Sequence, residues 1–495
     1  MSKKFLLFTL TFLNLFTFQA IFSKPVDVQT AQAIAINFYK LNATSNSNAT
    51  FVARLKFIKT EENNSIDYYI FDVFPKGFVI VAADDASEPI LAYSNEAFFD
   101  LNVTNTGIQD WMDDVANNIN YLAKNNIQPT KEISSKWVAY ANGENTIQSR
   151  STAVSPMLKT TWNQSIYYNS YCPGGSVTGC VATAMAQIMK YWNYPSRGTG
   201  SYSYTDMPYG KLSADFTATS YNWSAMTNAL TSSSTTVQKN AVALLMSQLG
   251  ISVATQYGTT GSASWVLQLD NPGGPCAQSA YVNYFGYNSS TILGVKKANY
   301  TSATWIAMMK NDLNAGRPIQ YEGFGTEGGH TWVCDGYNMF SLFHMNWGWG
   351  GVDNGYFSIN VLNPNGIPLG TNNGAIFGIQ PIKSLQEINS NAIEPLVEDN
   401  QQNLELAEAS IAPESFNIYP VPASTVLNVN YNGSIYLTST IVIANTLGQT
   451  IASYPSVNLN TNYILDISNY APGIYFISFV SSDSRNRKVL RFYKD

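Results

Sequence analysis

Residues 178–192 read Thr178-Gly-Cys-Val-Ala-Thr-Ala-Met-Ala-Gln-Ile-Met-Lys-Tyr-Trp192. Apolar side chains at 181, 184, 185, 188, 189 and 192 fall at offsets of 3, 4, 7, 8 and 11, one face of an α-helix. Asn193-Tyr194-Pro195 stops that helix. Cys180 therefore stands at its first turn, behind Gly179. Free backbone N–H groups and the positive dipole end favour an anion there. A thiol so placed is expected to have a lowered pKa and to act as a nucleophile. Gly179 lets a substrate approach the backbone closely. The Cys180 N–H can also donate to a developing oxyanion. A buried structural cysteine is the alternative reading. Cys172, Cys276 and Cys334 leave an unpaired thiol even if two cysteines bond, which a secreted chain has to account for.

A thiolate works with a base, and the chain has two histidines, His330 and His344. His330 follows Gly328-Gly329 and opens the strand Thr331–Cys334; Asp335–Asn338 reads as a turn, and Leu342–Trp347 as the returning strand. A hairpin centred on Asn338 sets His330 opposite Asn346, whose amide would orient the imidazole. His344 would then face Trp332, a packing position. A one-residue slip would undo both pairings. His330 is the expected base.

Composition narrows the classes. At roughly 100–200 residues per domain, 495 residues suggest two to four domains. A net charge of −6 gives no basic excess to hold a phosphate backbone, which argues against nucleic acid. Two histidines exclude a three-His metal site, and no His-Glu-x-x-His occurs; no metal or cofactor is expected.

The organisation reads as five segments. Residues 1–23 resemble a secretory signal: Lys3-Lys4, an apolar run from Phe5 to Phe18, then small residues near Ala20 and Ser23. A membrane anchor is the competing reading, but the run is short, and no later stretch is long and apolar enough to span. Residues 24–150 predict an α+β unit. It has a helix over Val28–Leu41 with Ala31, Ile34, Ala35 and Phe38 inward, strands Tyr68–Phe74 and Phe78–Ala82, and a helix over Trp111–Leu122. The polar stretch Ala141–Ser151 is a site for cutting. Residues 151–383 hold all cysteines and histidines. Residues 384–413 form an acidic linker, expected to be disordered. Residues 414–495 predict a small all-β sandwich with strands Val426–Tyr431, Ser439–Asn445, Tyr463–Ile467 and Ile474–Val480.

Several segments together resemble the streptopain-family cysteine peptidases. They are Trp162-Asn163-Gln164, Thr178–Tyr191, Tyr257-Gly258 with Gly261-Ser262-Ala263, Gly328-Gly-His330 and Asn346-Trp-Gly-Trp-Gly-Gly351. The resemblance implies an α+β, papain-like fold of two lobes, one carrying the cysteine and the other the histidine. It implies a secreted zymogen acting on polypeptides, with a hydrophobic preference at the residue before the cleaved one. By position, Cys180 matches the nucleophile, His330 the proton acceptor, and Ser262 and Gly329 substrate contacts. Asn346 and Trp347 match the segment supporting the histidine, through an amide or an indole, and Gln164 an oxyanion-hole donor. Leu267–Ala280 departs from the family pattern and could alter the cleft. Lys76–Tyr93 resembles the family's inhibitory propeptide, the other reading being an accessory binding domain. Tyr419–Ser424, Asn445–Gly448, Ala471–Phe476 and the basic end resemble a type IX secretion sorting domain, the other reading being a carbohydrate-binding or adhesive sandwich. The leading expectation is a secreted cysteine endopeptidase. A silent papain-like adhesin and an acyltransferase with the same Cys–His pair stand as alternatives.

Overall fold

The computed structural model describes residues 23–42, 50–61, 64–102, 106–144, 153–325, 328–359, 373–382, 415–419, 423–432, 438–445, 449–459, 463–481 and 487–495. The expected signal, most of the cutting stretch and the acidic linker lie outside them. The chain divides into two compact units, Met1–Ile393 and Glu394–Asp495.

The first unit begins with α1 (Val28–Asn42), β1 (Val52–Thr60), β2 (Ile66–Phe74), β3 (Phe78–Ala82), β4 (Ile90–Ser94), α2 (Thr106–Lys124) and α3 (Lys131–Asn142). It continues with α4 (Cys180–Trp192), β5 (Ser201–Asp206), β6 (Gly210–Asp215), α5 (Thr236–Ser252), α6 (Ala277–Asn283), β7 (Leu293–Lys296) and α7 (Ser302–Asn314). β8 (Ile319–Gly325), β9 (Gly328–Tyr337), β10 (Phe343–Asn346), β11 (Gly355–Phe357) and β12 (Gly374–Phe377) complete it.

α1 buries Ala31, Ile34, Ala35 and Phe38, the inward face expected from its periodicity. α4 goes further: every residue from Val181 to Met189 is buried, so it is a core helix rather than a half-exposed one. Its apolar contacts are with α5, α6 and the facing side of β9, a helical lobe with its own core.

Ten strands form one sheet in the order β1-β2-β3-β4-β11-β10-β9-β8-β12-β7. The two expected N-terminal units are therefore not separate bodies. β4 pairs with β11, Tyr93 opposite Tyr356 and Ala92 opposite Phe357. Around this seam Ser94 Oγ donates to Asn354 O at 2.7 Å, Asp100 N to Asp353 Oδ1 at 2.8 Å, and Trp111 Nε1 to Ser358 O at 2.9 Å. Phe357 packs there against Trp111, Phe78 and Trp347.

The β9–β10 hairpin corrects the expected register. Asp335-Gly336-Tyr337 continue β9 instead of turning, and the chain reverses over Asn338–Leu342. The Asn338 side chain fixes this turn, its Oδ1 accepting from the amides of Phe340 and Leu342 at 2.9 Å each. His344 therefore pairs with Gly336 and, after a bulge, Asn346 with Val333. His330 lies opposite Gly323 of β8, not Asn346. His344 packs instead in the seam, its Nδ1 2.6 Å from Asp335 Oδ1 and its Nε2 3.7 Å from Glu96 Oε1.

The second unit contains β13 (Ser415–Tyr419), β14 (Val426–Asn432), β15 (Thr438–Asn445), β16 (Thr450–Asn458), β17 (Tyr463–Asp466), β18 (Gly473–Ser481) and β19 (Arg487–Lys494). Sheets β13-β14-β17 and β16-β15-β18-β19 share one core, with Leu427, Val429 and Leu465 from one and Ile441, Ile443 and Ile477 from the other. The four expected strands are present; β13, β16 and β19 were not expected. β16 was hidden by Pro455, which sits at a register break between Tyr454 and Val457 on an edge strand.

Two outcomes follow for the uncut chain, each measured in a Cys180→Ala background by chemical denaturation. Phe357 is fully buried, so Phe357→Ala should cost about 3–5 kcal/mol. Burial would lower the His344 pKa, but Asp335 and Glu96 outweigh it and raise it to about 9. Its stabilisation is thus complete below the unfolded value near 6.5 and lost as pH rises through 9. His344→Gln should abolish a stability loss between pH 6.5 and 9.5 that the parent displays; an identical loss in both would refute the assignment.

Candidate active site

Cys180 begins α4 because Gly179 holds φ +83°, a left-handed value that a side chain resists. A Cβ on Gly179 would also stand 3.1 Å from Ser262 O. Thr183 closes the first turn, its Oγ1 donating to Gly179 O at 2.9 Å. The helix start is thus fixed by backbone geometry and by one threonine in its own first turn.

His330 enters from β9. Its Nε2 lies 3.1 Å from the carbonyl oxygen of Trp347. A carbonyl only accepts, so the shorter contact favours a proton on Nε2 and a lone pair on Nδ1 over the opposite tautomer that the Trp349 indole N–H, 3.4 Å away and only a donor, would need. The ring stacks on Trp332 at 6.0 Å and tilts against Trp349 at 6.1 Å. The Trp349 indole nitrogen comes within 3.4 Å of Nε2. Cys180, His330, Ser262 and Gly329 line one cleft of about 270 Å³.

The supporting segment differs from expectation in detail. The Asn346 amide does not reach His330: its Nδ2 donates to Thr160 O at 2.8 Å, and its Oδ1 accepts from Gln187 Nε2 at 3.1 Å. The Trp347 indole donates to Asp353 O at 3.1 Å, so this residue meets the imidazole through its backbone. Gln187 Oε1 in turn accepts from Thr160 Oγ1 at 2.9 Å and Trp162 N at 3.1 Å. Sequence reading overlooked Gln187 and Trp349. A glutamine inside an apolar helix, and the second tryptophan of Trp347-Gly-Trp349, were the available signals.

Gln164 lies outside the cleft lining, tied to the segment that leads into α4 by Thr178 N donating to its carbonyl at 2.9 Å. Its Nε2 is buried with no hydrogen-bond partner among the described residues. Buried polar groups are rarely left so. Ser262 Oγ donates to Val177 O at 2.7 Å and accepts from Gly258 N at 3.1 Å, so it shapes the cleft wall.

Electrostatics reverse one expectation. Burial pushes the Cys180 thiol above its ordinary value, and the amides of Thr331, Cys180 and Val181 only partly offset this. Burial also pulls His330 down to about 4, against the Trp347 hydrogen bond. Enclosure thus pushes each group toward its neutral form. All four cysteines are free thiols.

The profile of the peptidase C10 family matches residues 162–357, that of the Spi protease inhibitor residues 23–119, and that of a secretion system C-terminal sorting domain residues 417–490. Streptopain of Streptococcus pyogenes is 31% identical over 378 residues, covering 71% of this chain and 89% of its own. The thiol protease/hemagglutinin PrtT of Porphyromonas gingivalis is 29% identical over 385 residues, 72% of this chain and 42% of that one. A prointerpain A fragment of Prevotella intermedia superposes with a TM-score of 0.55 at 30% identity, covering 67% of this chain and all of the fragment. The chain belongs to the peptidase C10 family, as a cysteine-type endopeptidase preceded by an inhibitor-type propeptide and followed by a type IX secretion sorting domain.

Proposed function

We propose that the chain hydrolyses peptide bonds through Cys180 and His330 by way of an acyl-enzyme. The carrying observation is one cleft that joins a helix-start cysteine to a histidine whose Nε2 is engaged by a backbone carbonyl. That engagement leaves Nδ1 to take the thiol proton as sulfur attacks the carbonyl carbon. His330 then passes the proton to the leaving amine as the C–N bond breaks. Water repeats the sequence on the thioester, releasing the acid and restoring the thiol. Oxyanion stabilisation falls to the Cys180 N–H and to Gln164 Nε2, the unpartnered buried donor. Ser262 and Gly329 contact the substrate backbone. Asn346 and the Trp347 side chain act at one remove, by holding the carbonyl that orients His330.

Residues 24–150 act as the propeptide, 151–383 as the catalytic domain, 384–413 as a linker and 414–495 as the export signal, after removal of 1–23. The protein is then secreted or displayed at the cell surface. Its partners are polypeptide substrates, its own propeptide and the type IX machinery. Among the described residues no helix is long and apolar enough to cross a membrane. Latency comes through the sheet: among the described residues none from 24–150 lines the cleft, while α2 packs on β8 and β9, which carry its far wall.

Casein digestion tests the assignments. Cys180→Ala and His330→Ala should each abolish cleavage and self-maturation, and the double variant should be no worse, since the pair acts as a unit. His344→Gln, once folded, should retain cleavage. Full activity in Cys180→Ala, or loss with His344→Gln alone, would overturn the roles. Deleting residues 387–495 should leave specific activity unaltered while blocking delivery to the outer surface. Cutting between about residues 136 and 151 should activate a latent precursor; an uncut precursor of full activity would contradict the proposed inhibition.

A further inference from the structure

The cleft wall that carries Ser262 is a closed loop. Gln256 N donates to Ala263 O at 2.8 Å, and Ala263 N returns a bond to Gln256 O at 3.0 Å. Inside the loop Gly258 N donates to Ser262 Oγ at 3.1 Å. Two bonds latch it to the segment leading into α4: Ser262 Oγ donates to Val177 O at 2.7 Å, and Val177 N to Gly258 O at 3.1 Å. Gln256, Ser262 and Ala263 all line the cleft. A shift of this loop therefore moves the wall along which a bound chain would lie.

The loop is also gripped from outside the cleft, by β5. Tyr257 N donates at 2.9 Å to Asp206 Oδ2, at the last residue of that strand. Tyr204 Oη, two residues back on the strand, donates to Thr255 O. The two holds stand on either side of Gln256. Asp206 Oδ1 accepts from Tyr209 N at 3.3 Å, which ties the same carboxylate to the turn into β6. Asp206 is 3% exposed and forms no ion pair among the described residues. Its charge adds to the burial that raises the Tyr204 and Tyr257 hydroxyls above their ordinary pKa. A buried carboxylate without a cation is costly, so stability alone does not account for it. What it supplies is direction: one oxygen holds the hairpin turn, the other the cleft wall, and hydrogen bonds to a charged acceptor are the strong ones.

We propose that Asp206 is a positioning residue for peptide cleavage, fixing the Tyr257 amide and through it the Gln256–Ala263 wall where that wall meets the substrate chain. It acts through the wall and touches neither the substrate nor Cys180. The proposal rests on the peptidase reading and on the substrate contact given to Ser262, and it adds a residue from a hairpin outside the cleft.

The experiment is steady-state hydrolysis of a fluorogenic peptide with an apolar residue before the one at the cut. Activated enzyme is used, its reactive thiols counted by titration with a thiol-directed epoxide. Asp206→Asn keeps the size of the side chain but sets an amide NH2 against one of the two backbone donors. KM should rise on the order of tenfold, as for loss of a charge-assisted hydrogen bond. The kcat per titrated thiol should fall by less than about twofold, because the interaction lost is one of binding. A residue that only held the fold together would lower the number of titrated thiols and leave KM where it was. Met207→Ser, next to Asp206 and 94% exposed, should leave both constants unaltered. An unchanged KM in Asp206→Asn, or an equal rise in Met207→Ser, would overturn the proposal. Should Asp206→Asn fail to fold, Gly210→Ala decides. Gly210 holds φ +75° with open space where a Cβ would stand, so alanine strains the turn without a clash. KM should then rise about threefold with kcat kept, and an unchanged KM would overturn the proposal as well. Wild-type enzyme cleaving no peptide of any kind would instead sink the underlying peptidase reading.

Discussion

The amide of Gln187 ties three stretches of chain into one site. It accepts from Thr160 and Trp162 and donates to Asn346. The first two residues lead into Gln164, and the third leads into Trp347, whose carbonyl meets His330. Gln187 itself rides on α4, two turns from Cys180. Nucleophile, base support and candidate oxyanion donor are therefore registered to one buried side chain. An amide suits this task because it donates and accepts at once and carries no charge to desolvate. The surrounding apolar helix then excludes the water that would compete for those bonds.

Burial and hydrogen bonding act in opposite directions on the Cys–His pair. Three backbone amides favour the thiolate, as the helix start suggested, yet enclosure outweighs them. His330 is driven the same way, with one carbonyl hydrogen bond to resist it. Charge separation within the pair thus needs a partner that arrives with the substrate or a rearrangement of the walls. The site is poised by geometry rather than by standing charge.

Much of this was readable in the sequence, because the strongest signals are periodic. α4 and α1 announced themselves through apolar spacing, and the helix start placed Cys180 without any tertiary information. The pairing of His330 was not readable, because it turns on the Asn338 side chain capturing two amides and on a bulge beside Met345. Neither leaves a periodic trace. The strand β4 was missed because, unlike the equally short β3, no tight turn ties it to the strand before it, and with it went the merging of the two N-terminal units into one sheet. The buried cluster of Glu322, Lys296 and Asp270 was not readable either, because the chain brings its members together from separate elements.

The β4–β11 pairing separates two events that are easily treated as one. Severing the chain beyond residue 144 breaks no bond of that seam, because all of its donors and acceptors lie elsewhere. A piece severed there would still be held by that pairing, and its release would need the sheet to part between β4 and β11. Once it leaves, β11 becomes an outer strand with open N–H and C=O groups, and Phe357 loses the Trp111 and Phe78 rings that covered it. Such an edge invites another strand. A chain freed of that piece would present β11 as its sheet edge in place of β1, where the sheet of the uncut chain ends.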